Sequence, residues 1–585
     1  MDSVYKQARK VLIWLGRADA LTQQGFEALM HVAVANAESD KSGTSSRLLS
    51  AIHGGTNHGS PSRRHQLPGI SATQWQGLVS LYRRAWFTRA WTVQEFALAK
   101  EEPSIICGTF WTTWHTWITA ATYLGTPNWT HFLFAVEHSD LESLRVILQQ
   151  ENMAEICQPL NSLKRLHDRK EHCYGPIVRL QEIRNWQDES FRHSVGVSAD
   201  EFPLQVMLGA FFLSQCAWKA DRIYAFLGLV PRSEWSGLSI DYDLGEENIY
   251  VQATWAMVTS TKSLSILSHV EDKSYRQESS LPSWVPDYSA RRTLKPLDSG
   301  ANFSFNGSSP RHFDCTRNLL YTSSRLNMLS CSIPVCGLLQ GSIQSVGASF
   351  YPTYLEESEE VLSCIRTLPE DHLWRTLISD EDVLDHSYPA SYNSRRYLFE
   401  GWLVYLFDQV EEYRRFQRAR SPDHIVALRE IRLRQLFRSY RAFTTDHRIY
   451  DTSILDAMDT EEDLSPDSIC RYIDEAYSDC YQSHSGAGMQ LNYLQAAFSL
   501  VLSSLAANMA ERRLFIMSTQ RLDKGPTSFQ TGDEVWILRG AKVPYILRPM
   551  GNGEYELVGE AYVHGIMQGE ALDNAINEFK TITLV

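Results

Sequence analysis

A short stretch of the chain, residues 86–100, concentrates the side chains that could do chemistry. It holds two tryptophans, two basic residues and one carboxylate, Glu95. At helical spacing Trp91 and Glu95 lie one turn apart on the same face of a helix. Four apolar residues form a stripe that would pack this helix against a core, and they are Phe87, Trp91, Leu98 and Ala99. The spacing leaves two interpretations of Glu95, a structural carboxylate on an amphipathic helix or a functional carboxylate beside an indole.

The same stretch resembles the closing motif of the fungal heterokaryon-incompatibility (HET) domain, whose pattern runs W-F-x-R-x-W-x-x-Q-E-x-x-x-A. The matching residues are Trp86, Phe87, Arg89, Trp91, Gln94, Glu95 and Ala99. The first sixteen residues, which include Tyr5, Ala8, Trp14 and Gly16, resemble the family's upstream motif I-Y-x-x-A-x-x-V-x-x-W-L-G. Further stretches similar to this family are 215–290 and 512–585.

The resemblance implies a specific chemistry for Glu95. HET domains are similar to TIR domains, in which a glutamate at the same spacing from a tryptophan carries NAD cleavage. It therefore implies Glu95 as the catalytic carboxylate, Trp91 as a wall of the nicotinamide-ribose pocket and NAD as a substrate, with no cofactor. The family normally has a strand and a W-I-D-A-x-C-I-N-Q segment before the first motif matched here. This sequence begins after both, which argues against activity and leaves open whether the chain is an enzyme.

The bulk composition limits the function classes. A chain of 585 residues is too long for one ordinary core, so several domains are expected. The balance of 55 basic against 69 acidic side chains gives a net charge of −14, which argues against nucleic-acid binding. The ten cysteines form no paired motif, which indicates reduced thiols. The start of the chain has no apolar signal segment, and no apolar run is long enough to span a membrane. We expect a cytoplasmic protein.

The pattern of elements predicts an α/β fold combined with mainly helical regions. Residues 1–125 would form the truncated TIR-like HET module, with an exposed insertion at about 41–70. Residues 126–300 are predicted to be helical, and residues 301–510 mixed but mostly helical. Short alternating strands in residues 511–585 predict a small antiparallel β-barrel-like domain.

Other reactive residue types favour structural roles. The insertion contains three histidines, His53, His58 and His65. Their spacing along the chain matches no ordinary metal-binding motif. His564 follows a strand, where it is expected to bond a loop. Trp284 and Asp287 are expected to anchor a proline-bracketed segment. The sequence therefore predicts no metal site.

Three hypotheses follow from the sequence. The first is a HET-domain protein that acts in self/non-self recognition and triggers incompatibility cell death. The second, nested in the first, is TIR-like NAD cleavage at Glu95. The third is a non-catalytic interaction or scaffold protein with a degenerate HET domain. All three hypotheses imply protein partners, and one such partner could be a second copy of the chain that associates through the HET module.

Overall fold

The computed structural model describes most of the chain with gaps. The described residues are 2–42, 70–124, 173–188, 204–212, 214–235, 237–276, 280–290, 296–297, 313–322, 331–349, 372–382, 388–419, 423–444, 465–483, 504–505, 508–509, 511–573 and 578–585. The chain divides into two compact units, residues 1–158 with 170–232, and residues 159–169 with 233–585. The predicted insertion at about 41–70 lies almost wholly outside the described residues.

The first unit combines helices with a three-stranded sheet. Its helices are α1 (Asp2–Gln7), α2 (Thr22–Ser42), α3 (Ala72–Tyr82), α4 (Trp91–Ala97), α5 (Trp114–Leu124), α6 (Gly175–Gln187), α7 (Leu204–Ala210) and α8 (Asp221–Tyr224). Its strands are β1 (Leu12–Trp14), β2 (Ser104–Cys107) and β3 (Phe110–Thr113). Strand β2 is central, parallel to β1 and antiparallel to β3. The short apolar runs at 11–15 and 104–108 thus contain the two parallel strands of this sheet.

Local sequence explains where these helices begin and how they pack. Ser71 and Gln74 form a capping box at the start of α3, each side chain accepting from the other's backbone N–H. Helices α2 and α3 cross where Gly25 and Gly77 meet backbone to backbone. The core of this unit includes Trp75 and Trp117, which are fully buried.

The second unit contains long helices beside a sheet. Its helices are α9 (Glu246–Thr261), α10 (His372–Ile378), α11 (Tyr392–Arg418), α12 (Asp423–Thr444) and α13 (Pro466–Ser483). Helices α11, α12 and α13 pack on one another around residues such as Leu403, Phe437 and Ile473. The arginines of α11 and α12 make ion pairs with acidic neighbours, for example Arg429 with Glu412 at 3.0 Å. Carboxylates of the same group of helices thus balance part of this positive charge.

The strands of the second unit form a ring with an extension. They are β4 (Ile333–Ser349), β5 (Arg512–Met517), β6 (Leu522–Pro526), β7 (Glu534–Leu538), β8 (Tyr545–Gly551), β9 (Glu554–Glu560) and β10 (Lys580–Leu584). Strands β4, β7, β8, β9 and β10 close on themselves, because β10 pairs with both β9 and β4. Strands β5 and β6 extend from the far half of β4. Apolar side chains such as Ile537 and Ile546 pack in a core cluster of these strands.

The sheet corrects part of the predicted fold class. The mixed α/β character is confirmed, but the C-terminal sheet is neither wholly antiparallel nor a simple barrel. The last strand, β10, runs parallel to β9. Strand β4, which precedes residues 511–585, pairs with β5, β7 and β10. Its seventeen-residue length lets its two halves pair with different neighbours, a pattern that local alternation cannot indicate. In the described part of the chain, no helix combines the length and apolar character that crossing a membrane requires.

Candidate functional site around Glu95

Helix α4 carries Glu95, and hydrogen bonds to nearby and distant backbone groups hold its first turn in place. The Thr92 hydroxyl donates to the Arg89 carbonyl at 2.6 Å. The Ala90 N–H donates to the Gln215 carbonyl at 2.9 Å, and the Gln215 N–H donates to the Thr88 carbonyl at 2.5 Å. These bonds fix the first turn of α4 against a distant segment of the same unit.

The other end of α4 is fixed by packing and by a half-buried arginine. Phe96 is fully buried, and its ring lies 4.0 Å from that of Trp114, centre to centre. Arg184 donates to the carbonyls of Phe96 and Glu101, both at 3.1 Å. Burial lowers the pKa of Arg184, and the charge of Glu102 opposes this. The helix is therefore a rigid support for Glu95.

The carboxylate of Glu95 accepts a hydrogen bond from an indole, that of Trp86. Trp86 Nε1 donates to Glu95 Oε2 at 3.3 Å, and Glu95 is half-buried. Trp86 lies in the 3₁₀ turn Ala85–Thr88, and its ring packs edge-on against Phe87 at 5.3 Å. Trp91, the candidate pocket wall, is half-buried at the first position of α4. The indole that contacts Glu95 therefore precedes the helix.

Tyr5 of helix α1 completes the environment of the carboxylate. Its pKa is raised above 10.0, first by burial, then by the negative charge of Glu95 and by a hydrogen bond to the Glu95 carboxylate. The positive charge of Arg89 opposes this rise. The two motifs found in the sequence, one containing Tyr5 and the other Glu95, therefore meet at this carboxylate.

Among the described residues, the partners that bind Glu95 directly include no cation. Tyr5 and Trp86 are neutral donors, and Arg89 is exposed. Within the described residues, Glu95 and Arg89 form no ion pair with each other. A carboxylate held in this way can stabilise a positive centre placed beside it. It can equally fasten α1 to α4.

Residues 221–229 pack on the same helix and lie within the stretch 215–290 that resembles the family in sequence. Gln94 is buried, and its Nε2 donates to the Ala225 carbonyl at 2.7 Å. Its Oε1 is also buried, and no described residue donates a hydrogen bond to it. Arg222 donates to the Phe212 carbonyl at 3.0 Å and so ties this stretch to the segment before it. Ile223, Phe226 and Leu227 of this stretch are buried, at 0%, 2% and 2% exposed.

The other sequence candidates have structural contacts. The backbone N–H of His564 donates to Asp523 Oδ1 at 3.1 Å, and its Nδ1 lies 3.3 Å from the Tyr562 hydroxyl. Trp284 is fully buried and donates to the Cys331 carbonyl at 2.8 Å. Asp287 accepts from the N–H groups of Ser289 and Ala290. Among the described residues, no cluster of three His, Cys, Asp or Glu side chains could hold a metal ion.

Sequence reasoning did not single out three contributors to this site. All three stand at motif positions, and they are Tyr5, Trp86 and Gln94. Helical spacing alone points only to Trp91 and Glu95. The feature that the three contributors share in the sequence is that each belongs to one of the two motifs that contact each other in the structure. Contact between the two motifs, rather than spacing within one helix, brings these residues together.

Comparisons with known proteins match two regions of the chain. Residues 1–95 match the family described as heterokaryon incompatibility protein (HET). Residues 423–580 match the family described as Het-6 beta-barrel domain. Over 74 residues the chain is 39% identical to heterokaryon incompatibility protein 6, OR allele, of Neurospora crassa, a match that covers 12% of this chain and 11% of that relative. No solved structure matches the chain. These matches agree with the motifs that converge on Glu95, and the chain is a heterokaryon incompatibility (HET) domain-containing protein.

Proposed function

We propose that this protein acts in fungal heterokaryon incompatibility, in self/non-self recognition that ends in cell death. The observation that carries the proposal is the contact of Tyr5 and Trp86 with Glu95, which joins both HET motifs into one site. The similarity to a Neurospora crassa incompatibility protein supports the same role. We place this function in the cytoplasm, with protein partners and with self-association through a TIR-like HET module.

Expression in a fungal host tests the biological role. We expect regulated expression of the chain to reduce colony growth and viability, and the Glu95→Gln variant to lose this effect at equal protein level. Lys100→Ala, which changes an exposed residue of the same segment, is the matched control and should behave like the unchanged chain. Normal growth with all three proteins would contradict the role.

Within this role we propose that Glu95 promotes cleavage of NAD. Among the described residues no cation pairs with its charge, and the two neutral donors hold it in place, an arrangement suited to stabilising a positive ribosyl centre. The bond between the ribosyl carbon and the nicotinamide nitrogen breaks, and its electron pair goes to the nicotinamide ring, which becomes neutral. Water supplies the oxygen that bonds to the ribosyl carbon and releases a proton. Nicotinamide and ADP-ribose are the products. Exposed Arg89 is suited to hold a phosphate of the same dinucleotide.

Turnover of NAD by the purified chain tests this chemistry. We expect Glu95→Gln to lower kcat by roughly a hundredfold to a thousandfold, the loss typical for removal of one stabilising group. Arg89→Gln should raise KM with little change in kcat, because it would remove binding made equally before and during the reaction. Lys100→Ala should change neither. Equal turnover by the unchanged chain and Glu95→Gln would show that Glu95 is not catalytic.

The second candidate function is a non-catalytic scaffold. The observation that favours it is that all the described partners of Glu95 belong to the packing of this unit, as a fastener between α1 and α4 requires. In that case no form of the chain turns over NAD, whereas Glu95→Gln still lowers the unfolding free energy. The two measurements together separate the enzyme from the scaffold.

A further inference from the structure

The turn between β8 and β9 contains an asparagine followed directly by a glycine. Asn552 and Gly553 form a two-residue loop, because Gly551 and Glu554 on either side of it pair with each other across the two strands. Both loop residues have positive φ, 54° at Asn552 and 78° at Gly553. A hairpin loop of this length with two left-handed residues favours the pair Asn-Gly. The conformation of the hairpin therefore accounts for this pair at its tip.

Asparagine followed by glycine is also a chemically labile pair. The main-chain nitrogen of the glycine attacks the side-chain carbonyl carbon of the asparagine, and glycine has no Cβ to hinder the approach. A five-membered succinimide ring forms, and the side-chain amide leaves as ammonia with the proton of the attacking nitrogen. Water then opens the ring at either of its carbonyl carbons and gives aspartate or isoaspartate. The net change is one water consumed and one ammonia released, with no further reactant.

The surroundings of this pair leave room for the reaction. Gly551, Asn552 and Gly553 are all exposed. A Cβ atom added at Gly551 or at Gly553 would have no atom of the described residues within 4 Å. No described residue forms a hydrogen bond with the side chain of Asn552. Tips of exposed loops also open locally at little cost in free energy. The reacting atoms can therefore approach each other in the folded chain.

The same turn helps to close the ring of strands in the second unit. The Thr583 N–H of β10 donates to the Gly553 carbonyl at 3.0 Å. Strand β10 runs beside β9 with Thr583 opposite Glu554 and Leu584 opposite Tyr555. In the described chain this parallel pairing is two residues long. The bond to the turn is therefore a substantial part of what holds β10 on this side of the ring.

We propose that Asn552 is a site of spontaneous deamidation and that its isoaspartyl product loosens the closure of the ring by β10. Isoaspartate adds one carbon atom to the main chain, so the loop no longer keeps the length that pairs Gly551 with Glu554. Because loop length sets the register of a hairpin, the Gly553 carbonyl moves away from Thr583. The new carboxylate also lies close to that of Glu554 along the chain, and like charges repel.

The proposal goes beyond the function proposed above and does not depend on it. It converts a neutral side chain into a negative one without an enzyme, at a point where the main chain supports a strand pairing. The rate depends on the turn, because cyclisation requires the main chain at Asn552 to rotate away from its conformation in the hairpin. The folded chain should therefore react more slowly than a free peptide of the same sequence.

Ageing of the purified full chain in warm, mildly alkaline buffer tests the modification. A free peptide of residues 548–557 is aged beside it, and peptide mapping by mass spectrometry follows the replacement of amide by acid at Asn552. Isoaspartate methyltransferase, which methylates the isoaspartyl carboxylate, identifies the product. We expect the folded chain to react within roughly tenfold of the rate of the free peptide, because the tip opens easily. Peptide mapping separates this site from the pair Asn306–Gly307, which lies outside the described residues.

Hydrogen exchange of the aged chain tests the consequence for the ring. We expect the amide of Thr583 to exchange roughly tenfold faster in the isoaspartyl fraction than in the fresh chain, the change that loss of one hydrogen bond gives. Asn552→Gly is the matched control, because Gly-Gly suits the same left-handed loop but has no side-chain amide to lose. After the same ageing, exchange at Thr583 in this variant should be unchanged.

Three results would overturn the assignment. An unmodified Asn552 in the folded chain, at a time when the free peptide has fully reacted, would show that the turn blocks the reaction. Deamidation that leaves exchange at Thr583 unchanged would remove the consequence for the ring. Faster exchange at Thr583 in the aged Asn552→Gly variant as well would show that the loosening has another cause.

Discussion

The side-chain amide of Gln94 donates a 2.7 Å hydrogen bond to the main-chain carbonyl of Ala225, 131 residues further along the chain. Both residues are buried, so water cannot replace this bond. The bond therefore fixes the stretch 221–229 against the helix that carries Glu95. Loss of the donor should therefore destabilise both helix α4 and the stretch 221–229.

We predict that Gln94→Leu lowers the free energy of unfolding by about 1–3 kcal/mol, because the Ala225 carbonyl is left buried without a donor. The change also removes the unpartnered Oε1 of Gln94, which favours the lower end of this range. Urea denaturation measures the effect, and hydrogen exchange in residues 221–229 should become faster. Lys100→Ala should stay within about 0.5 kcal/mol of the unchanged chain. An unchanged urea midpoint in Gln94→Leu would contradict this role.

Local patterns predicted the elements around the site but not its contacts. The strands at 11–15 and 104–108 have short apolar runs that a local pattern reveals. Helical spacing suggested Trp91 as the neighbour of Glu95. The chain forms a separate 3₁₀ turn before α4, and this turn brings Trp86 to the carboxylate instead.

Contacts between distant segments lay beyond the local pattern. Tyr5 reaches Glu95 from helix α1, and β10 closes the second-unit ring on β4. Both depend on how remote segments pack, which spacing along the chain does not encode. The apolar run of β1 does not indicate its burial either, because Leu12 and Trp14 on one face of the strand are exposed.

The pKa of Tyr5 gives a second prediction. It should lie above 10.0 in the folded chain, as measured by the difference in ultraviolet pH titration between the unchanged chain and Tyr5→Phe. Glu95→Gln should lower this pKa but not restore 10.0, because burial is the largest cause of the rise. A raised folded pKa contributes stability that is complete below the unfolded pKa and is lost as pH rises through the folded value. An identical Tyr5 pKa in the unchanged chain and in the Glu95→Gln variant would contradict the contact.

The crossing of α2 and α3 gives a third prediction. A Cβ atom added at Gly77 would lie 2.5 Å from the Gly25 nitrogen and 2.7 Å from the Leu21 carbonyl oxygen. These are backbone atoms, so the helices would have to separate. We predict that Gly77→Ala lowers the unfolding free energy by about 1–3 kcal/mol, although alanine is the better helix former. Thermal unfolding measures the loss. Gly237→Ala, where the added Cβ has no atom within 4 Å, should show no steric loss of this kind.

A buried ion pair in the second unit gives a fourth prediction. Arg512 and Glu560 lie 2.6 Å apart and are 0% and 4% exposed at their side chains. We predict that Arg512→Met costs about 3–5 kcal/mol, because it leaves the carboxyl buried without its cation. The double variant Arg512→Met with Glu560→Leu should cost less than the sum of the two single changes.

The loss in Arg512→Met should depend on pH. Burial raises the pKa of Glu560, and the charge of Arg512 opposes that rise. Without Arg512 the pKa rises further, and a raised folded pKa contributes stability that is lost as pH increases. The deficit of the variant relative to the unchanged chain should therefore grow between roughly pH 5 and roughly pH 8. Unfolding free energies at the two pH values measure this, and a deficit that shrinks would contradict the assignment.

The thiol of Cys470, on helix α13, gives a fifth prediction. Burial raises its pKa to about 11, against the lowering effect of the charge of Arg414. At pH 8 only about 0.1% of such a thiol is ionised, and the thiolate is the reactive form. We predict that iodoacetamide labels Cys470 in the folded chain far more slowly than half-buried Cys336, with mass spectrometry as the readout. The rate should rise with pH up to about 11, and Arg414→Gln should slow it further by removing the charge that lowers the pKa. Labelling of Cys470 as fast as that of Cys336 at pH 8 would contradict the prediction.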